Sequence, residues 1–212
     1  MNILFFQITN QNTKPYSDFC CSINKDYCNL HGYNYLEINS EKIEGYHYTW
    51  SKIFKSIELI NETNYDFYFF LDADACVINK SIKIENIIKN MHYNICFSEN
   101  GFNGGLLIAT GGFIFNKKAK SIFEECIEIS KTKEMLKYKN QHWFEMAIIN
   151  YMYEKEKIFD VFEMNVINSY GTISVDNPDL PNLFVYHFQG KSDAEKTRIA
   201  NELYNNFFKE RV

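Results

Sequence analysis

Residues 67–71 read Phe-Tyr-Phe-Phe-Leu, and two carboxylates follow almost at once, Asp72 and Asp74. Five consecutive apolar side chains suit a buried strand. A carboxylate taken out of water costs several kcal/mol unless it is paired or bound to a metal. A strand of this kind must therefore end at a place where negative charge is wanted. The apolar run resumes at residues 75–78, Ala-Cys-Val-Ile, so the two aspartates are enclosed on both sides.

The rest of the first half sets this strand in a pattern. Residues 2–9 and 33–38 read as strands, and residues 15–33 as a helix with Pro15 near its start and Gly32 as its stop. Residues 48–60 form a helix with Trp50, Ile53, Phe54, Ile57 and Ile60 on one face. Residues 66–71 are the third strand, 83–91 a helix and 94–98 a fourth strand. Alternation of strand and helix predicts an α/β layer fold with a mostly parallel sheet flanked by helices. Ligands in such sheets sit at the carboxyl ends of the strands, where Asp72 and Asp74 fall. Residues 101–116 are glycine-rich with two apolar runs, and predict short strands joined by a tight loop. Helices follow at 117–131 and 140–154, with one or two strands at 158–167 and a loop at 174–182 that holds two of the three prolines. A last strand is expected at 183–188, and a closing helix at 192–208 capped by Ser192 or Asp193.

At 212 residues the chain fits a single domain, 1–212, and 46% hydrophobic residues supply a sizeable core. The formal net charge is −5 and no basic stripe is present, which removes electrostatic support for a nucleic-acid partner. Six cysteines are present without a CxxC pair, and most have apolar neighbours, as expected of buried thiols in a reduced, cytoplasmic chain. The N-terminus lacks the basic region and cleavage site of a signal peptide. No apolar run approaches the roughly 20 residues needed to span a membrane, so a soluble protein is expected.

Several residue groups could carry chemistry. Two aspartates at i and i+2 can reach one hard cation, Mg²⁺ or Mn²⁺, although aspartates also open turns. His187 ends an apolar strand and is followed by Gly190 and Lys191. It could be a structural histidine; beside the aspartates it becomes a candidate third ligand, with glycine and lysine suited to a phosphate. Thr110, Gly111 and Gly112 form a small-residue stretch that permits close approach of a ligand, or simply a tight turn. Gln141 and His142 open a helix, with Glu145 one turn on, and Trp143 suits either the core or a sugar-stacking platform. Lys52 alone suggests no more than a solvated surface lysine.

Taken together, the stretches at 48–60, 65–79, 110–116, 140–148 and 184–191 resemble the metal-dependent GT-A glycosyltransferases. The likeness is greatest to the galactosyl- and xylosyltransferase group related to fungal mannan-synthesis proteins. It implies a GT-A fold, a Rossmann-like nucleotide-diphospho-sugar transferase domain. It also implies transfer of a sugar from a nucleoside diphosphate sugar, with UDP the expected nucleotide, to a glycan or glycoprotein acceptor. By that resemblance Asp72 would contact ribose or sugar and the metal, while Asp74 and His187 would bind Mn²⁺ or Mg²⁺. Gly190 and Lys191 would line the diphosphate, and Thr110, Gly111 and Gly112 would shape the donor-sugar and acceptor pocket. Gln141 and His142 would face the transferred sugar, Thr9 and Asn10 would lie near the nucleoside, and Lys52 would reach the donor. Relatives often carry an acidic residue where this chain has Gln141 and His142; a base is open among Glu145, Glu99 and His142. A soluble bacterial or viral member, in the latter case in the host cytoplasm, would explain the short chain without a membrane-anchored stem.

Two rivals remain at this level. A phosphatase or phosphotransferase of the haloacid-dehalogenase kind also ends a strand on Asp-x-Asp with Mg²⁺. It would place the pair near the N-terminus, put Thr or Val where Cys76 stands, and carry a later GDxxxD segment that this chain lacks. The other rival is a non-catalytic nucleotide-sugar-binding module.

Overall fold

The computed structural model describes residues 1–100, 107–164, 166–168 and 183–203. The elements run β1 (Ile3–Thr9), α1 (Lys14–His31), β2 (Asn34–Asn39), α2 (Ser51–Glu62), β3 (Phe67–Leu71), β4 (Ala75–Val77) and α3 (Ile84–Ile88). They continue as β5 (Ile95–Glu99), β6 (Ile108–Phe115), α4 (Lys120–Ser130), α5 (Phe144–Glu156), β7 (Asp160–Phe162), β8 (Val185–His187) and α6 (Asp193–Leu203). The six-stranded sheet has the order β2-β1-β3-β6-β5-β7. Its neighbours pair in parallel except along β6, which runs antiparallel to both β3 and β5. The fold is thus α/β with a mixed, mostly parallel sheet, as expected from the alternation. β4 and β8 form a separate antiparallel pair with Ala75 opposite His187.

Side-chain alternation along the central strands fills two cores. Phe6, Phe70, Phe113 and Phe115 face α2, α4 and α5, while Phe5, Phe69, Leu71 and Ile114 face α1, α3 and β8. The Phe70 ring lies 5.2 Å from Phe6 and 5.0 Å from Phe113, centroid to centroid. Each such ring contributes about 1.5–3 kcal/mol on burial. The unbroken apolar run of β3 is explained by this cover on both faces. A third, smaller core joins α1 and α6 to the β4/β8 pair through Cys20, Ile23, Cys76, Tyr186, Ile199 and Leu203.

Gly32 ends α1 in the left-handed conformation at φ 72°, as its place in the sequence predicts. Ser192 caps α6: its Oγ accepts from the Glu195 amide at 3.3 Å, and its own amide donates to the Glu195 carboxylate at 3.4 Å. The glycine-rich stretch departs from expectation. Residues 108–115 form one continuous strand, and Thr110, Gly111 and Gly112 lie inside it rather than in a loop. Pairing with β3, where Gly112 lies opposite Leu71, carries the strand through its glycines, while the register with β5 shifts between Ala109 and Ile114. Residues 101–106, where a first short strand was expected, lie outside the described residues, as do residues 174–182, expected as a loop, and residues 204–208, expected in the closing helix. Lys52 also departs from its expected exposure, since it is buried on the inner face of α2.

All six cysteines are buried and unpaired. Burial pushes the Cys21 thiol up to about 12 and raises those of Cys20, Cys28, Cys96 and Cys126. The folded chain at pH 8 should therefore be inert to a thiol-specific chromogenic reagent over minutes, with all six groups reacting once guanidinium is added. Fast labelling of several thiols without denaturant would contradict this packing.

Candidate functional site

The sheet reverses its order between β1 and β3, because β2 lies on one side of β1 and β3 on the other. A crevice opens there at the carboxyl ends of the strands. One cavity is lined by Ile8 on β1 and Thr13 beyond it, by Tyr16 and Tyr48, by Phe70 on β3, and by Asp72 and Asp74 just past β3. A second adjoins it, lined by Thr110, Gly111, His142–Met146, His187, Gln189 and Gly190. Thr49, Lys52, Asp72, Asp74 and Lys196 border both.

The backbone between the two aspartates is held from below. Gln7 on β1 is fully buried, and its Nε2 donates to the carbonyls of Asp72 at 3.0 Å and Ala75 at 3.2 Å. Asn24 on α1 donates to Ala75 O at 3.0 Å and accepts from the Val77 amide at 2.8 Å. The Asp72 amide donates to Gly111 O at 2.8 Å, and the Phe188 amide to Asp74 O at 2.9 Å. The turn carrying both carboxylates is therefore tied to β1, to α1, to β6 and to the residue after β8.

The charges are compensated from three further elements. Lys52 Nζ on α2 lies 2.8 Å from Asp72 Oδ1 and 3.3 Å from Glu145 Oε1, and donates to Thr110 O at 3.2 Å. Burial opposes its charge, but Asp72 and Glu145 outweigh that and raise its pKa. Lys196 Nζ on α6 lies 2.7 Å from Asp74 Oδ2, and His187 Nε2 lies 3.0 Å from Asp74 Oδ1 and 3.8 Å from Asp72 Oδ2. Against the cost of burial, His187 and Lys196 hold the Asp74 carboxyl far below the usual carboxylate range. Burial raises Asp72, with Lys52 and His187 opposing.

Asp72, Asp74 and His187 each offer one ligand atom, and these atoms lie within 4.8 Å of one another. Two carboxylates and an imidazole suit a hard or borderline divalent ion. His187 Nδ1 lies 3.0 Å from Asn168 Oδ1. With Nδ1–H donated there, the Nε2 lone pair faces Asp72 and Asp74, and acceptor meets acceptor unless a cation, proton or metal, lies between. Gly111 makes room for the imidazole: a Cβ at this position would stand 2.4 Å from His187 Cε1 and 3.2 Å from Asp72 Oδ2. At Gly112 a Cβ would stand 2.8 Å from Ile167 O and from Leu71 Cδ2. Both glycines serve close approach within a strand.

The structure gathers Asp72, Asp74, His187, Lys52, Thr110, Gly111, His142, Glu145 and Gly190 around the two cavities. Glu145 is buried; its Oε1 accepts from Thr110 Oγ1 at 3.0 Å, and its Oε2 has no partner among the described residues. The remaining sequence candidates stand apart from both linings. Thr9 Oγ1 donates to Glu37 at 3.0 Å, and Asn10 Oδ1 accepts from the amides of Asn12 and Thr13 in a local turn. Gly112 faces Ile167, Lys191 pairs loosely with Glu195 at 3.8 Å, and Gln141 and Glu99 are exposed. Sequence reasoning missed Gln7, Asn24, Asn168 and Lys196. Nothing in the local pattern marks Lys196 among the charged residues of an amphipathic helix.

Residues 3–102 match the model of the galactosyl transferase GMA12/MNN10 family. The matched segment holds Lys52, Asp72 and Asp74, and His187 lies beyond it. None of the curated proteins compared matches the chain in sequence. Among solved structures, a glycosyltransferase involved in glycosylation of the major capsid of PBCV-1 superposes with a TM-score of 0.74 at 18% identity, covering 95% of this chain and 99% of that one. The apo glycosyltransferase GlyE of Streptococcus pneumoniae TIGR4 gives 0.60 at 11% identity, covering 97% of this chain and 64% of GlyE. The galactosyltransferase LgtC, solved with donor and acceptor sugar analogs, gives 0.53 at 15% identity, covering 95% of both chains. The mixed, mostly parallel sheet flanked by helices is that of these GT-A structures, and with the family match it supports a glycosyltransferase.

The clearance at Gly111 yields a test of the site's construction. Gly111→Ala drives a methyl group into a buried ring and should destabilise the chain by about 1–3 kcal/mol. At roughly 2–4 °C per kcal/mol for a chain of this size, thermal denaturation followed by circular dichroism should show a clear drop in Tm. An unchanged Tm would mean that β6 and His187 do not approach as described.

Proposed function

We propose that this chain transfers a sugar from a nucleoside diphosphate sugar, with UDP the expected nucleotide, to a glycan or glycoprotein acceptor, assisted by Mn²⁺ or Mg²⁺. The observation that carries the reading is the convergence of Asp72, Asp74 and His187 on one point at the crevice, between two cavities. LgtC, whose fold this chain shares, was solved with donor and acceptor sugar analogs, which supports a donor in one cavity and an acceptor in the other.

The residues divide the work by position. Asp72, Asp74 and His187 would hold the ion. Bound there, a divalent cation would neutralise charge on the departing diphosphate. Lys52 fixes Asp72 and Glu145 in one arrangement before substrate arrives, so no reorganisation is needed during the reaction. Breaking the sugar–phosphate bond leaves positive character on the sugar carbon and negative charge on the phosphate. Glu145 borders the second cavity, and its Oε2 is buried without a partner among the described residues. His142 borders the same cavity, and Glu99 does not. Of the candidate bases, Glu145 and His142 are the two that geometry supports. Trp143 and Phe144 border the second cavity and would offer apolar faces to a sugar ring. The haloacid-dehalogenase alternative draws no support from the family match or the structures named above.

Isothermal titration calorimetry should show UDP binding that requires Mn²⁺, and a screen of nucleotide sugars should reveal slow Mn²⁺-dependent donor hydrolysis without acceptor. Asp74→Ala should abolish that hydrolysis; activity that survives the change would refute the ligand set. Asn168→Ala removes the partner that orients His187 and should weaken Mn²⁺ binding by about 10–100-fold, read by calorimetry with Mn²⁺ and UDP. Unchanged affinity would show that Asn168 does not set the imidazole.

A further inference from the structure

Both carboxylate oxygens of Asp74 are already engaged: Oδ1 by His187 at 3.0 Å and Oδ2 by Lys196 at 2.7 Å. The Lys196 side chain is 14% exposed, against 30% for Lys191. Its ammonium lies 4.7 Å from the Tyr16 ring centroid, and it borders both cavities. Lys191, four residues before Glu195, borders neither. A lysine placed so is ready to meet any anion that enters beside Asp74.

An ammonium and a divalent ion on the two oxygens of one carboxylate repel each other. A metal that takes Asp74 therefore weakens the hold of Asp74 on Lys196. The loosened ammonium, on its flexible stem, is drawn to a new anion, and the diphosphate of the donor arrives in the same crevice. Resting on the function proposed above, we infer that Lys196 is an exchanging cation. In the metal-free chain it holds Asp74; in the loaded site it moves onto the donor diphosphate.

The consequence is a coupling between two ligands. Metal alone is opposed by the Lys196 charge with no compensation, so it binds more weakly than it does with diphosphate. Metal with diphosphate lets Lys196 trade one anion for another, so each ligand favours the other, and by linkage the effect is reciprocal. A lysine that merely pins α6 to the sheet would produce no such coupling. Tyr16 belongs to the same arrangement: its ring lies under the ammonium and borders the first cavity, giving the side chain an apolar surface to pivot on.

The test is a Mn²⁺ titration of the full chain followed by electron paramagnetic resonance, with and without UDP. It compares the natural chain with Lys196→Gln and Lys196→Arg, each checked by circular dichroism for a native melt. Lys196→Gln should bind Mn²⁺ alone about three- to tenfold more tightly, because a competing cation is gone. In the presence of UDP it should bind about tenfold more weakly than the natural chain, since a charge-assisted contact to the diphosphate is lost. Lys196→Arg should restore most of the UDP effect. The inference falls if Lys196→Gln leaves Mn²⁺ affinity without UDP unchanged or weaker. It also falls if Lys191→Gln, and not Lys196→Gln, reduces the UDP effect. A natural chain that binds no Mn²⁺ under either condition overturns the proposed function itself, so the two failures are distinguishable.

Discussion

Burying Asp72 and Asp74 side by side at the end of β3 is the constraint on which the rest of the molecule depends. Two like charges this close, partly withdrawn from water, would oppose folding by several kcal/mol if left alone. The chain answers with Lys52 from α2, Lys196 from α6 and His187 from β8. These contacts help fix where α2 and α6 dock and favour the register in which β8 pairs with β4. Removing Lys52 would leave Glu145 buried without the ammonium it pairs with, which ties local stability to the site's integrity. The same arrangement concentrates oxygen and imidazole groups around one point, the donor set a divalent ion would need.

A second constraint supports the first. The Asp72 and Ala75 carbonyls at this turn accept from Gln7 and Asn24, which supply side-chain donors from within the core. Fully satisfied buried polar networks of this kind rigidify their surroundings. The backbone carrying Asp72 and Asp74 thus rests on a stiff support. Gly111 belongs to the same design, since β6 can approach His187 only where no Cβ intervenes.

Much of this was legible in the sequence, for identifiable reasons. The alternation of strands and helices from residue 2 to 98 showed the layered α/β fold, because periodicity and turn residues are local signals. Asp72 and Asp74 stood out against the apolar run around them, and His187 against its own. Thr110–Gly112 misled, because two glycines inside a strand look like a turn until the neighbours that need their missing side chains are known. Lys52 looked solvated because one helix face seemed complete without it; its burial depends on Asp72 and on Glu145, far along the chain. Gln7, Asn24, Asn168 and Lys196 act only through long-range contacts, and a single sequence carries no pattern for those.

The central claim is that Asp72, Asp74 and His187 form one metal site at the mouth of a donor crevice. A crystal structure of the chain grown with Mn²⁺ and UDP, with anomalous data collected at the manganese edge, tests it most directly. One anomalous peak is expected within about 2.0–2.3 Å of an oxygen from each aspartate and of His187 Nε2, with the diphosphate against it. Ordered UDP in the crevice with manganese elsewhere, or none at all, would contradict it.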